Sequence, residues 1–351
     1  MSATPVDDGS LQGLLATRYD ELVTRCRMAG VAYYDDAGVA ERIQRLLLAS
    51  DHAFAGLCAQ PRLLAPEGLE WLLASADVGS RASSILLTGL DETAAMHRLR
   101  RFRQAEALRL LFRDVNGLDD IDDTLAQTTS LYEGLIESAL VYAERRMAAQ
   151  HGWLRNTDGQ TQRLVVMALG KLGGGELNYS SDVDLVLAYA EQGRSDGPRP
   201  LQASEYYTRL GGMLVRLLDT VTAEGQVTRV DLRLRPFGQA GRVAVSFAAM
   251  ETYYQREGRD WERYAWIKAR PVAGDRRAGR HLLNMLRPFV YRRYLDYTAF
   301  DGLREMKTMI DLEVARRDRA EDLKLGPGGI REIEFMVQLE QLIRGGRDAS
   351  L

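Results

Sequence analysis

Apolar positions recur at three- and four-residue steps through residues 11–150, as in Ile43, Leu46 and Leu47, and again in Leu131, Leu135, Ile136, Ala139 and Leu140. That period lays an apolar stripe along a helix, so this stretch is expected to be helical. Pro61, Pro66 and Gly117 punctuate it. Asp91-Glu92-Thr93 opens a long helix carrying Arg98, Arg100, Arg101, Arg103 and Arg109, which reads as a solvated cationic face. The texture changes after Arg163. Residues 164–169 form a short continuous apolar run, the pattern of a buried strand. A Gly-rich turn follows, then a second strand near 183–189, and a polar, Gly/Pro-rich loop over 191–202. Ser204 is placed to cap a helix over about 205–223, with Tyr207, Leu210, Leu214, Leu217, Leu218 and Val221 as its stripe. Val230, Leu232 and Leu234 then alternate with Arg229, Asp231, Arg233 and Arg235, the period of a half-buried strand stopped by Pro236. Residues 247–323 read as helical, with turns near Gly258, 271–274 and 301–302. A last helix begins after Gly326-Pro327-Gly328-Gly329 and runs through Ile333, Val337 and Ile343. The expected fold class is α+β.

The 351 residues exceed what one core usually holds, so two or three domains are expected. Net charge is -3, which argues against a general nucleic-acid binder. No 18-residue apolar run and no signal peptide stand out, so no membrane partner is expected and a cytoplasmic location is. Cys26 and Cys58 are too few, and too remote from the motif below, for a disulfide framework or a zinc site. His52, His97, His151 and His281 are scattered, which disfavours chemistry on a histidine base. Lys and Arg total 46, yet only Lys171, Lys268, Lys307 and Lys324 are lysines. An arginine cluster is therefore weak evidence here. Lys171, in G-K-L-G-G, is open to a phosphate-binding or a structural reading.

The chemistry concentrates in L-G-K-L-G-G-G-E-L-N-Y-S-S-D-V-D-L-V-L-A-Y, residues 169–189. Asp182 and Asp184 stand at i and i+2 and so share a face of a strand. Asp231, on the polar side of its own strand, is the candidate third carboxylate. Three such groups can hold two Mg²⁺ for an in-line displacement at phosphorus. Gly173, Gly174 and Gly175 let backbone N–H groups approach phosphate, and Ser180 and Ser181 can donate to the same group. Arg233 and Arg235 share the face of Asp231 and either contact phosphate or pair with the carboxylates. No Lys-Ser or Lys-Thr follows the glycines, so this is not a Walker A loop. Two aspartates close the segment, which excludes a dinucleotide-binding fingerprint. Tyr253, Tyr254, Trp261, Tyr264 and Trp266 read as packing aromatics rather than an adenine platform.

These residues resemble the polymerase-beta-type nucleotidyltransferases: a glycine turn, Asp-x-Asp, then a strand aspartate. Four blocks in order over residues 164–347 sharpen the likeness: G-K-L-G-G-G-E-L-N-Y-S-S-D-V-D-L, R-V-D-L-R-L-R-P-F-G, Y-Y-Q-R-E-G-R-D-W-E-R-Y-A-W-I-K-A-R and L-G-P-G-G-I-R-E-I-E-F-M-V-Q-L-E-Q-L-I-R-G-G-R. They resemble the bifunctional glutamine synthetase adenylyltransferase/adenylyl-removing enzymes, and the wording E-L-N-x-S-S-D-x-D resembles their amino-terminal, deadenylylating half.

The resemblance implies a nucleotidyltransferase core, a small mixed sheet with helices, over 129–275. Helical regions would flank it at 1–128 and 276–351, the latter truncated at its carboxy end, so adenylylation by this chain is not expected. It implies Mg²⁺ on Asp182, Asp184 and Asp231, and phosphate on Gly173, Gly174 and Ser181. It further implies removal of AMP from a tyrosine of adenylylated glutamine synthetase by phosphorolysis, releasing ADP, with the PII signal protein as a regulatory partner in nitrogen control. The rival readings are uridylyl transfer to the PII protein and a non-catalytic nucleotide- or PII-binding domain.

Overall fold

Ser and Asp side chains set many of the helix starts. The computed structural model of the chain describes residues 8–32, 36–75, 77–291, 322–324, 326 and 328–348. Helix α1 spans Asp8–Met28, α2 Ala37–Ala49, α3 Asp51–Ala59, α4 Pro66–Leu73, α5 Val78–Ser83, α6 Glu92–Val115 and α7 Ile121–His151. Asp36, Ser50, Asp77 and Asp91 cap α2, α3, α5 and α6 through their side-chain oxygens. Proline stands in the first turn of α4, where its missing N–H costs nothing.

The described residues form two compact units. The first takes those up to Ala139, with Gly175–Ser181 and Leu217–Val227. Its core joins Leu22 and Cys26 of α1, Ile43, Leu46 and Leu47 of α2, Leu57 of α3, Leu72 of α4, and Leu108 and Phe112 of α6. The cationic face expected on α6 is not simply solvated. Arg100 and Arg109 are completely buried. Arg100 donates to the carbonyls of Gly225 at 2.9 Å and Leu217 at 3.2 Å, and also to that of Thr220. Arg100→Met should therefore strand three carbonyls and cost about 2–4 kcal/mol, read as a fall in the urea midpoint.

The second unit takes Leu140–Gly174, Asp182–Arg216 and the described residues from Thr228 on. Its sheet comprises β1 (Val165–Leu169), β2 (Val183–Tyr189), β3 (Val230–Asp231), β4 (Ala244–Ser246) and β5 (Arg270–Gly274). The order is β3-β2-β1-β5, with β4 also pairing β2. β1 runs antiparallel to β2 and β5, while β3 and β4 run parallel to β2. This is the small mixed sheet expected, and the fold is α+β. The helices are α8 (Gly170–Gly174), α9 (Ala203–Asp219), α10 (Phe247–Arg256), α11 (Asp260–Trp266), α12 (Arg276–Val290) and α13 (Ile330–Arg344). β1 and the inner face of β2 pack on α10, α11 and α12 through Val165, Met167, Val186, Met250, Trp266 and Leu282.

Four local expectations are corrected. The strand expected to reach Pro236 pairs only at Val230 and Asp231. Asp231 Oδ1 accepts the Arg233 N–H at 2.7 Å, an Asx-type turn that takes the chain off the sheet. The segment 271–274, expected as a turn, lies in β5. Pro271 is tolerated there because β5 is at the end of the strand order. α9 begins at Ala203, one residue before its expected cap Ser204, and ends at Asp219, leaving Val221 exposed. The glycine turn is in part the short helix α8, entered through Gly170 at φ +55° and left through Gly175 at φ +76°. The expected turn at 301–302 and Lys307 lie outside the described residues.

Tyr253, Tyr254, Tyr264 and Trp266 pack as expected, whereas Trp261 is exposed. Tyr254 is buried against Phe289, with ring centroids 4.6 Å apart, and accepts a hydrogen bond from Trp266 Nε1 at 2.8 Å. The last helix starts after Gly329, as read from the sequence. Its Glu332 accepts from the Gly328 N–H, while Glu334 lies 3.6 Å from Lys268.

Candidate active site

Strand pairing brings two carboxylates together. Asp184 on β2 lies in register with Asp231 on β3, and on its other side with Leu169, the last residue of β1. Asp182 stands just before β2. The Val183 N–H is held by the Arg229 carbonyl at 3.0 Å, which fixes the entry of β2 beside β3. Neighbouring strands lie about 5 Å apart, so in-register side chains on one face are adjacent. The aspartates 47 positions apart in sequence are thus neighbours because a parallel pair, not a hairpin, joins their strands.

Glycine is required at two positions of the β1–α8 turn. A Cβ on Gly170 would stand 2.6 Å from Asp184 Oδ2, at a backbone φ that disfavours side chains in any case. A Cβ on Gly173 would stand 2.1 Å from the Lys268 carbonyl oxygen and 2.6 Å from that of Ala168. Arg270 pins the same turn, donating to the carbonyls of Leu172 at 3.0 Å and Gly173 at 3.1 Å. Gly173→Ala is expected to lose about 1–3 kcal/mol or more, because the obstructing atoms are backbone; a lowered melting temperature checks it.

The other sequence-predicted positions are placed as follows. Gly174 is exposed and Lys171 half-buried on α8. Ser180 is exposed; the Ser181 hydroxyl donates to the Asn178 side-chain carbonyl. Both serines are counted with the first unit, whereas Gly173, Gly174 and the three aspartates are counted with the second. Arg233 pairs with Asp231: its Nε donates to Oδ2 at 2.7 Å. Arg235 donates to three carbonyls, those of Leu232 at 2.7 Å and of Gln239 and Gly241 at 3.1 Å, and so braces the loop after β3.

Sequence reading passed over two residues. Gly170 was hidden among the neighbouring glycines. Arg229 was counted only as one polar position of a strand, although it forms an ion pair with Asp182. A cleft of about 420 Å³ is lined by Asp182, Arg229, Asp231, Arg233, Arg235 and Gln239.

The electrostatics divide the carboxylates. Burial, with the charges of Asp231 and Asp182 beside it, pushes the Asp184 carboxyl up to about 6. The hydrogen bond from Arg233 holds Asp231 below the ordinary range. Among the described residues no three acidic, His or Cys side chains converge as metal ligands. The physical reason is visible: Asp182 is turned to Arg229 and Asp231 to Arg233. The donor set nevertheless suits a hard divalent cation. Its ligand atoms are carboxylate oxygens, two of them in register on adjacent strands, and Asp184 carries a charge cost that a cation would relieve.

A family model described as glutamate-ammonia ligase adenylyltransferase matches residues 40–285, which include all three aspartates and parts of both units. The chain belongs to the glutamate-ammonia ligase adenylyltransferase family. A second model, GlnD PII-uridylyltransferase, matches residues 304–350, beyond the sheet and its carboxylates. Several relatives carry the name bifunctional glutamine synthetase adenylyltransferase/adenylyl-removing enzyme. The one from Xanthomonas campestris pv. campestris (strain B100) is 57% identical over 317 residues, which is 90% of this chain and 33% of that protein. That from Xanthomonas oryzae pv. oryzae is 53% identical over 351 residues, 99% of this chain and 36% of the relative. That from Pseudomonas aeruginosa is 50% identical over 263 residues, 74% and 27% respectively. The chain thus spans about a third of the length of the curated relatives it matches. As a member of the glutamate-ammonia ligase adenylyltransferase family it has a nucleotidyltransferase-type core, and Asp184 and Asp231 face each other across the β2–β3 pair at one end of its sheet. Among the described residues no helix is long and apolar enough to cross a membrane.

Proposed function

We propose that this chain is the adenylyl-removing centre of such an enzyme. It takes AMP from an adenylylated tyrosine of glutamine synthetase by phosphorolysis and releases ADP. The observation that carries the reading is Asp184 in register with Asp231, with Asp182 at the mouth of the same strand. The relatives' names, which join an adenylyltransferase to an adenylyl-removing enzyme, support the substrate.

Asp182, Asp184 and Asp231 would hold a pair of Mg²⁺, which when bound would supply charge neutralisation at the attacking and leaving oxygens. An oxygen of inorganic phosphate attacks the phosphorus of the adenylyl group, the bond to the tyrosine oxygen breaks, and that oxygen regains a proton. The leaving phenol has an ordinary pKa near 10, so charge stabilisation matters more than a general acid. Arg233, on the rim of the cleft, and Gly174 and Lys171 on α8 are the proposed phosphate and nucleotide contacts. Gly173 keeps α8 close to the sheet. The PII signal protein is proposed as the regulatory partner. The match of residues 304–350 to a PII-uridylyltransferase model favours a second reading, uridylyl transfer, but it lies outside the carboxylate site.

Radiolabelled inorganic phosphate separates these readings. Incubated with adenylylated glutamine synthetase and Mg²⁺, the chain is expected to place the label in the β-phosphate of ADP. Unlabelled AMP as the product, or no release at all, would remove the proposal.

A further inference from the structure

Three arginines line the cleft beside the carboxylates, and they are not equivalent. Arg235 is committed to the carbonyls of Leu232, Gln239 and Gly241. Arg229 and Arg233 hold the two carboxylates flanking Asp184, one just before β3 and one just after it. Their side chains are 64% and 71% exposed, so each is tethered by its carboxylate rather than by packing. A guanidinium and a metal ion compete for the same carboxylate oxygens. The metal-free pairs and a metal-loaded site are therefore competing arrangements of one set of residues.

We propose that Arg229 and Arg233 are exchange residues: they neutralise Asp182 and Asp231 while no metal is bound, and turn to phosphate oxygens in the cleft when those carboxylates ligate a divalent cation. The inference rests on the carboxylate site proposed above. Charge favours it. Without metal the two guanidiniums offset two of three carboxylates. With two divalent ions the same five side chains carry an excess of three positive charges. A phosphodiester's one negative charge and a dianionic phosphate's two match that excess. Bidentate donors suit phosphate as they suit carboxylate, so the arginines lose no geometry in changing partner. Metal and phosphate should consequently each strengthen the binding of the other, by the same factor.

The test uses Mn²⁺ and inorganic phosphate as probes, with free Mn²⁺ read by electron paramagnetic resonance and no turnover involved. Wild type is expected to bind Mn²⁺ about tenfold more tightly when phosphate is present. Arg229→Met should bind Mn²⁺ alone several-fold more tightly than wild type, because Asp182 has lost its competitor, and should lose most of the phosphate effect. Arg229→Lys should stay closer to wild type in both respects, and Arg233→Met should repeat the result at Asp231. Arginine variants that bind Mn²⁺ no more tightly than wild type, or that keep the full phosphate effect, overturn the exchange and leave the carboxylate site standing. A folded wild type that binds no Mn²⁺ overturns the site and the exchange together.

Discussion

Asp184→Asn is expected to abolish turnover and, at neutral pH without metal, to make the protein more stable. The activity loss should reach about 10³-fold or more, roughly 4 kcal/mol of barrier, because the central carboxylate of the site is gone. The stability gain follows from the carboxyl pushed up to about 6 by burial and by its two acidic neighbours. Between an unfolded value near 3.8 and the folded value near 6, the folded chain holds more proton than the unfolded one. Stability then falls as pH rises through that window, and the deficit is complete above it. Asparagine keeps the shape and removes the charge, so at pH 7.5 the variant should gain about 1–2 kcal/mol, a few degrees in melting temperature. At pH 4 the two proteins should melt nearly together. Thermal melts in a chelator at both pH values check this; a variant less stable than wild type at pH 7.5 would show that Asp184 is a structural group. A site that destabilises its own fold is the expected signature of carboxylates gathered for a cation.

Glu106→Ala should cost the first unit about 3–5 kcal/mol, the largest stability loss expected from a single side chain away from the aspartates. Glu106 is 2% exposed and accepts from Arg81 at 2.6 Å and from the fully buried Arg109 at 3.3 Å. Both guanidiniums also lie over Trp71, at 5.6 and 5.4 Å from its ring centre. Burial raises the Glu106 carboxyl while the two arginines pull it down. Removing it leaves Arg109 a buried charge with the Ala74 carbonyl and the indole face as its other partners. Glu106→Gln retains the shape and some of the hydrogen bonding, so it should lose less than the alanine variant. Urea titrations of both variants decide the point. A loss below about 1 kcal/mol for Glu106→Ala would mean that Arg109 is held by its carbonyl and its aromatic neighbour alone.

The elements most legible in the sequence were those whose cause is local. The Asp91 cap and the long helix after it, the continuous apolar run of β1, and the helix after Gly329 each follow from a few adjacent residues. The adjacency of Asp184 and Asp231 was legible for a different reason. Two strand-like segments with acidic positions on their polar sides leave few other ways to share a face. What stayed hidden depends on tertiary partners. In a chain that writes nearly all its cations as arginine, nothing local marks Arg100 and Arg109 as buried, or Arg229 as the partner of Asp182. The alternation after Val230 promised a longer strand, yet the Asp231 side chain captures the Arg233 N–H and turns the chain. Pro271 argued for a turn, but a strand at the end of the sheet can spare an N–H. Gly170 looked like one glycine of several until the nearby Asp184 oxygen showed why it has no side chain.

The central claim is that Asp182, Asp184 and Asp231 form a metal-dependent phosphorolysis site. Its most direct test is ADP release from adenylylated glutamine synthetase in the presence of phosphate and Mg²⁺, measured for wild type and Asp231→Asn. The account predicts ADP from wild type that requires both phosphate and Mg²⁺, and a rate lower by about 10³-fold in the variant although its fold is intact. Equal ADP release from the two proteins, or release by wild type that persists after chelation, would contradict it.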